Sequence, residues 1–266
     1  MLTLKSATLT VSVLHPVENA DRLGTRYCTG GFVFQIEDSR HGPLLSGPTY
    51  PSSYNLYDGQ GIPDAFQPHL PVREGLVLGI GIGLIDTVRN QTTERCVWRI
   101  ENAPEHLTFR AEQAAEGFAF SVARELTLHG RTLRSATTLS NTGKRPVPFQ
   151  WYPHPFYPLF DGGECCKFAC PVTFPENPGY EIAPSGFLRT KGPPSRQGYF
   201  QVVEHPPAPP VILQKHPALG VLAAVCDYVS PRLPVWGNQN TFSFEPYYER
   251  IVVAGGEARW SVTYEF

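Results

Sequence analysis

Phe118-Ala119-Phe120-Ser121-Val122-Ala123-Arg124-Glu125-Leu126-Thr127-Leu128 decides the fold class of this chain. Successive side chains on a strand point to opposite faces, so Phe118, Phe120, Val122, Arg124, Leu126 and Leu128 share one face. Arg124 interrupts an otherwise apolar row, and a charge turned inward requires a partner. Strand patterns flank the stretch at His106 to Arg110 and at Arg131 to Asn141, with His129-Gly130 and Asn141-Thr142-Gly143 as turns. The expected unit is an antiparallel meander.

Working outward, strand patterns recur and helix patterns do not. Met1 to Val13 alternates apolar and polar residues and reads as a first strand. Phe32 to Ile36 is a short buried strand after a Gly30-Gly31 turn, and Tyr199 to Glu204, Gly220 to Asp227, Asn240 to Glu245 and Trp260 to Phe266 complete the set. The one helical piece, Ala111 to Glu116, is too short to stand alone and reads as a turn between strands. Ser39 to Phe66 and Phe174 to Arg196 read as long surface loops, of the kind that serves a site as rim or lid. No repeat of fixed period and no linker divides the chain, so the expectation is one all-β domain over 1–266.

Composition narrows the function classes. A formal charge of −2 without a basic run gives no footprint for nucleic acid or an acidic membrane. No segment approaches the ~20 apolar residues of a membrane span, and the N-terminus lacks the apolar core of a secretory signal. A cytoplasmic location is expected. The six cysteines are then reduced thiols rather than a disulfide framework. Cys165-Cys166 with Cys170 is the one cluster, and it lacks both a second paired set and a histidine at ligand spacing, so no metal is expected.

Gly79-Ile80-Gly81-Ile82-Gly83 has Leu84 where a dinucleotide-binding turn would need its third glycine, and no helix pattern follows. It reads instead as a strand whose glycine face admits the close approach of another backbone or a ligand. Neither a Gly-x-Ser-x-Gly elbow nor a His-Glu-x-x-His pair is present.

Two stretches carry chemistry. Trp151-Tyr152-Pro153-His154-Pro155-Phe156-Tyr157 and Thr241-Phe242-Ser243-Phe244-Glu245-Pro246-Tyr247 each set one titratable side chain among aromatics. The first follows a strand and an Asn-Thr-Gly turn. The second follows Trp236 and precedes a Gly255-Gly256 turn and a closing strand that ends Tyr264-Glu265-Phe266. This ordered set resembles the aldose 1-epimerase (galactose mutarotase-like) family, whose members carry a His-Pro-Phe or His-Pro-Tyr motif, a late tryptophan, a Glu-Pro and a terminal Tyr-x-Phe. Thr25-Arg26-Tyr27 with Gly30-Gly31, and Ile80-Gly81-Ile82-Gly83, more loosely resemble a less-studied branch of the same superfamily.

The resemblance implies a large antiparallel β-sandwich, the galactose mutarotase-like supersandwich, with a sugar site on one concave face. It implies general acid/base interconversion of the α and β anomers of an aldose; the expectation is such an activity without metal or organic cofactor, in a monomer or homodimer. Opening a hemiacetal ring removes a proton from the C1 hydroxyl and delivers one to the ring oxygen. A carboxylate near its ordinary pKa is ionised at neutral pH, and a histidine near 6.5 can be the acid, so Glu245 is assigned as base and His154 as acid.

Phe156, Tyr157, Trp236 and Tyr247 are candidates for the apolar faces on which a pyranose stacks, and Arg26 for a donor to a sugar hydroxyl or carboxylate. Asp227 lies between the two motifs, where the family often has a substrate-binding aspartate. His69 is the preferred candidate for the family's additional sugar-holding histidine, although its Phe66-Gln67-Pro68 context departs from the family's Asn-rich one. The alternatives are a non-catalytic carbohydrate-binding or sensing module on the same scaffold, and a lyase or hydrolase. Hydrolysis calls for two facing carboxylates, and alternation along the strand argues against Glu249 as the companion of Glu245.

Overall fold

The computed structural model describes residues 1–47, 60–192 and 196–266. They form antiparallel sheets with a single short 3-10 turn, Ala20–Arg22. The large layer is an eight-stranded sheet in the order Arg99–Ala103, His106–Ala115, Phe118–His129, Thr132–Asn141, Glu257–Glu265, Gly220–Cys226, Val211–His216 and Cys166–Phe168. The meander therefore forms as its alternation requires, and the last strand of the chain inserts between Thr132–Asn141 and Gly220–Cys226.

The opposing layer is built of shorter sheets. Asp64–Gln67, Val147–Pro153 and Tyr248–Val252 form one, and Tyr199–Val203, Leu233–Gly237 and Phe242–Phe244 another. A bridge between Tyr157 and Phe242 ties these two together, and a bridge between Val33 and Ile62 ties in the sheet that includes Leu9–Val13 and Val33–Asp38. The layers meet on aromatic side chains. Trp260 of the large sheet stacks on Phe149 at 5.2 Å and lies 4.8 Å from Tyr248 and 5.5 Å from Trp151, ring centre to ring centre. Such rings contribute large apolar area plus about 0.5–1.5 kcal/mol per favourable pair.

Arg124 is wholly buried on the inner face of the large sheet and forms an ion pair with buried Asp64 of the opposing layer. Its Nη2 also donates to Ser135 Oγ at 3.0 Å. Burial alone would lower the guanidinium pKa, but the Asp64 carboxylate outweighs that and holds Arg124 charged. The inward charge thus has the partner that the interrupted row demanded.

Several expectations change. Ala111 to Glu116 is neither helix nor turn: Ala111 to Ala115 extend the strand His106–Ala115, and the reversal falls at Glu116-Gly117, both with positive φ (46° and 83°). Cross-strand pairing overrides a weak local preference there. Within Ser39 to Phe66, residues 48–59 lie outside the described residues, but Leu44 and Leu45 are buried and Asp64–Gln67 is a strand. Within Phe174 to Arg196, Tyr180–Ile182 and Leu188–Thr190 pair as a hairpin, and residues 193–195 lie outside the described set.

Gly79 to Gly83 is the tight reversal between the strands Leu76–Gly79 and Gly83–Asp86 rather than one strand. The close approach is real. A Cβ on Gly81 (φ +69°) would stand 2.4 Å from Cys28 Sγ, and one on Gly83 (φ +122°) 2.0 Å from the Glu94 carbonyl oxygen. Among the described residues no helix is long and apolar enough to cross a membrane.

Candidate active site

Alternation along two strands of the opposing layer builds the site. Phe149 and Trp151 point inward to Trp260, so Tyr152 and, one step past the strand, His154 point the other way. Phe242 and Phe244 are likewise buried in the core, which turns Ser243 and Glu245 outward on the side of His154. Backbone hydrogen bonds fix both ends: the His154 N–H donates to Pro63 O (2.8 Å) and the Glu245 N–H to Pro234 O (2.9 Å). The Tyr157–Phe242 bridge then brings together side chains 91 positions apart (245 − 154).

His154 Nε2 lies 3.4 Å from Glu245 Oε1, with side-chain exposures of only 4% and 5%. The other ring nitrogen, Nδ1, lies 2.8 Å from Ser243 Oγ. Phe156 stacks on the imidazole at 4.2 Å and 19°, and the edge of Trp236 meets it at 5.9 Å. These side chains end at a cleft of about 360 Å³. Its aromatic walls are Tyr152, Phe156, Phe200, Trp236 and Tyr247, with Tyr152 and Tyr247 stacked at 4.5 Å. Its polar lining is Arg26, Gln67, Gln197, His154 and Glu245. Apolar walls with a few convergent polar groups are the usual form of a small-molecule site.

Burial shifts both titratable groups away from the ordinary values assumed from sequence. It pushes the Glu245 carboxyl up to about 7, with the Arg26 and Arg232 charges restraining the rise. Burial, then the Arg26 charge, drives His154 well below 6.5, so its imidazole is neutral at neutral pH. Burial would lower Arg26 too, but Tyr27, Tyr152 and Glu245 together raise it, and it remains a fixed cation beside the pair.

Arg26, His154, Phe156, Trp236, Glu245 and Tyr247 thus line one cleft. Tyr157 does not: it is buried in the core against Phe244, at 5.8 Å. His69 is absent from the lining and hydrogen-bonds with the Thr25 backbone; Gln67, two residues earlier, lines the cleft instead. Asp227 lies on the outer face of the large sheet, beside Ser121, Ala123 and Glu125, the residues that alternate with the buried row. There its carboxylate accepts hydrogen bonds from the Ser261 N–H and hydroxyl, both at 2.6 Å. Tyr152, Gln197, Phe200 and Ser243 were not singled out from sequence, although Ser243 is two positions from Glu245 and so on its face. Among the described residues no three His, Cys, Asp or Glu side chains converge as metal ligands.

No family profile and no curated protein sequence matches the chain. Solved structures do, over nearly its whole length, and several of them are galactose mutarotase-like or aldose epimerase proteins, which shows the galactose mutarotase-like fold. The chain has that fold. It is similar to a galactose mutarotase-like protein from Lactobacillus casei ATCC 334, with 12% identity, 100% of this chain and 99% of that chain covered, and a TM-score of 0.61. A galactose mutarotase-like protein from Clostridium acetobutylicum aligns at 11% identity over 98% of this chain and 93% of its own, with a TM-score of 0.55. The GalM/aldose epimerase homologue from C. elegans aligns at 11% identity over 99% and 97%, with a TM-score of 0.54.

Proposed function

We propose that the cleft binds an aldose and interconverts its anomers by acid/base catalysis, with Glu245 as base and His154 as acid. The observation that carries this reading is the 3.4 Å approach of His154 Nε2 to Glu245 Oε1 at the end of an aromatic-walled cleft. The Glu245 carboxylate takes the proton of the C1 hydroxyl while the neutral imidazole of His154 donates a hydrogen bond from Nε2 to the ring oxygen and stabilises the charge that develops there. The bond between C1 and the ring oxygen breaks, its electron pair goes to that oxygen, the proton held by Glu245 passes to it, and the open aldehyde forms. After rotation about C1–C2, closure on the other face of C1 runs the same transfers in reverse, so the cycle consumes nothing. A base with a pKa near 7 is well matched to this task at neutral pH. Phe156 and Trp236 supply surfaces for the apolar face of a pyranose, and Arg26 and Gln67 supply donors to its hydroxyls.

The test is anomer exchange by saturation-transfer NMR over a panel of aldoses, with Glu245→Gln beside the wild type. Exchange above the buffer background that vanishes in the variant supports the reading. One observation favours a second reading, a carbohydrate-binding module: His154 and Glu245 are almost covered, so a ligand meets little more than their edges. Sugar line broadening without accelerated exchange for any aldose would favour that module and overturn the catalytic proposal.

A further inference from the structure

We propose that Ser243 is a positioning residue that sets which ring nitrogen of His154 carries the proton, its hydroxyl donating to Nδ1 so that the Nε2–H faces Glu245 and the cleft. This inference rests on the acid/base reading of the site, in which His154 must donate from Nε2.

Ser243 is fully buried, and His154 Nδ1, at 2.8 Å, is the partner of its Oγ among the described residues. If Nδ1 carried the proton, Oγ would accept it, and the serine's own O–H would be a buried donor with no acceptor. Buried orphan donors are rarer than under-satisfied acceptor oxygens, and each costs about 1–3 kcal/mol. With Oγ–H donating to Nδ1, every proton in the cluster has a destination. The far side of the ring agrees: Nε2 faces the Glu245 carboxylate at 3.4 Å, where an N–H is favourable and a lone pair is not. Phe156 covers one face of the imidazole and Trp236 meets it edge-on, restricting rotation. A neutral imidazole held this way is an electrophilic donor toward the ring oxygen. Without the hydroxyl, the proton is free to move to Nδ1, leaving Nε2 with a lone pair and nothing to donate.

The experiment reads the ring directly. Long-range proton–nitrogen correlation spectra of 15N-labelled protein, with His154 assigned by its loss in His154→Gln, report which nitrogen is protonated at neutral pH. The wild type should show a protonated Nε2 and a bare Nδ1. Ser243→Ala should shift population to the Nδ1–H form and lower kcat roughly tenfold or more with little change in KM. Ser243→Thr, which keeps the hydroxyl, should restore both. A wild-type ring protonated at Nδ1, or a Ser243→Ala ring unchanged from wild type, overturns the proposal. The wild-type spectrum decides even if the variants fail to fold. Because the spectra require no turnover, failure of the anomer-exchange reading would be seen separately from failure of the serine's role.

Discussion

Two acid–base pairs are buried on opposite faces of one layer of this sandwich, and under the proposed function they serve different ends. Arg124 and Asp64 meet in the core between the layers, whereas His154 and Glu245 meet at the cleft on the other side. Asp64 stands directly opposite Pro153 in the strand pairing, so a single residue step along the chain separates the core face from the cleft face. The core pair joins groups whose proton affinities are far apart; an arginine does not give up its proton, so the pair can only hold structure together. In the cleft pair, burial raises the carboxyl to about 7 and keeps the imidazole neutral, leaving a carboxyl that exchanges its proton within the neutral range beside an uncharged ring that can offer an N–H. What separates a structural pair from a chemical one here is the spacing of proton affinities and access to a cleft, not burial.

The largest effects should be mirror images. Glu245→Gln is expected to lower anomer exchange by about 10²–10⁴, the usual worth of a positioned base, while leaving the urea midpoint at pH 8 at or above wild type. It removes a carboxylate that burial disfavours. Arg124→Met should do the reverse, destabilising the fold by about 3–5 kcal/mol because Asp64 is left buried and unpaired. The double variant Arg124→Met with Asp64→Leu should recover most of that loss and retain wild-type kcat. A double variant that folds well but does not turn over sugar would break the comparison.

A smaller effect sharpens it. The base must be ionised to act, and Glu245 ionises only above about 7, so kcat/KM should rise about tenfold between pH 6 and pH 8 and then level off. No fall is expected near 6.5, because His154 is already neutral. The other groups that feel the Glu245 charge include the cations Arg26 and Arg232 and the phenols of Tyr152, Tyr180 and Tyr247, and burial raises the pKa values of these phenols further. A pair at ordinary values, about 4.3 and 6.5, would instead lose activity above 6.5. A pH–rate profile separates the two.

That contrast also marks what was legible in the sequence. Alternation in Phe118 to Leu128 announced both the meander and an inward arginine in need of a partner, because period-two patterning is a property of the strand alone. The same logic places Ser243 with Glu245 and Tyr152 with His154, and it excludes Tyr157. The shifted pKa values were not legible, since they arise from aromatic walls contributed by distant strands. Nor was the strand at Ala111 to Ala115, whose local pattern is weak and whose conformation is set by its neighbour. His69 and Asp227 were carried by position relative to a family pattern rather than by a face of a strand.

Asp227 gives the smallest expected effect and therefore a sensitive control. Its carboxylate is engaged by Ser261 on the outer face of the large sheet, with the core between it and the strands that carry the cleft. Asp227→Asn should weaken those bonds and lower stability by about 1 kcal/mol or less, since an exposed hydrogen bond contributes little net free energy. Anomer exchange should stay within about twofold of wild type, as distant sites act additively. A large loss of kcat/KM with stability intact would place a sugar contact on the wrong side of the sandwich. It would also shift the functional face from the cleft of His154 and Glu245 to the outer face of the eight-stranded sheet.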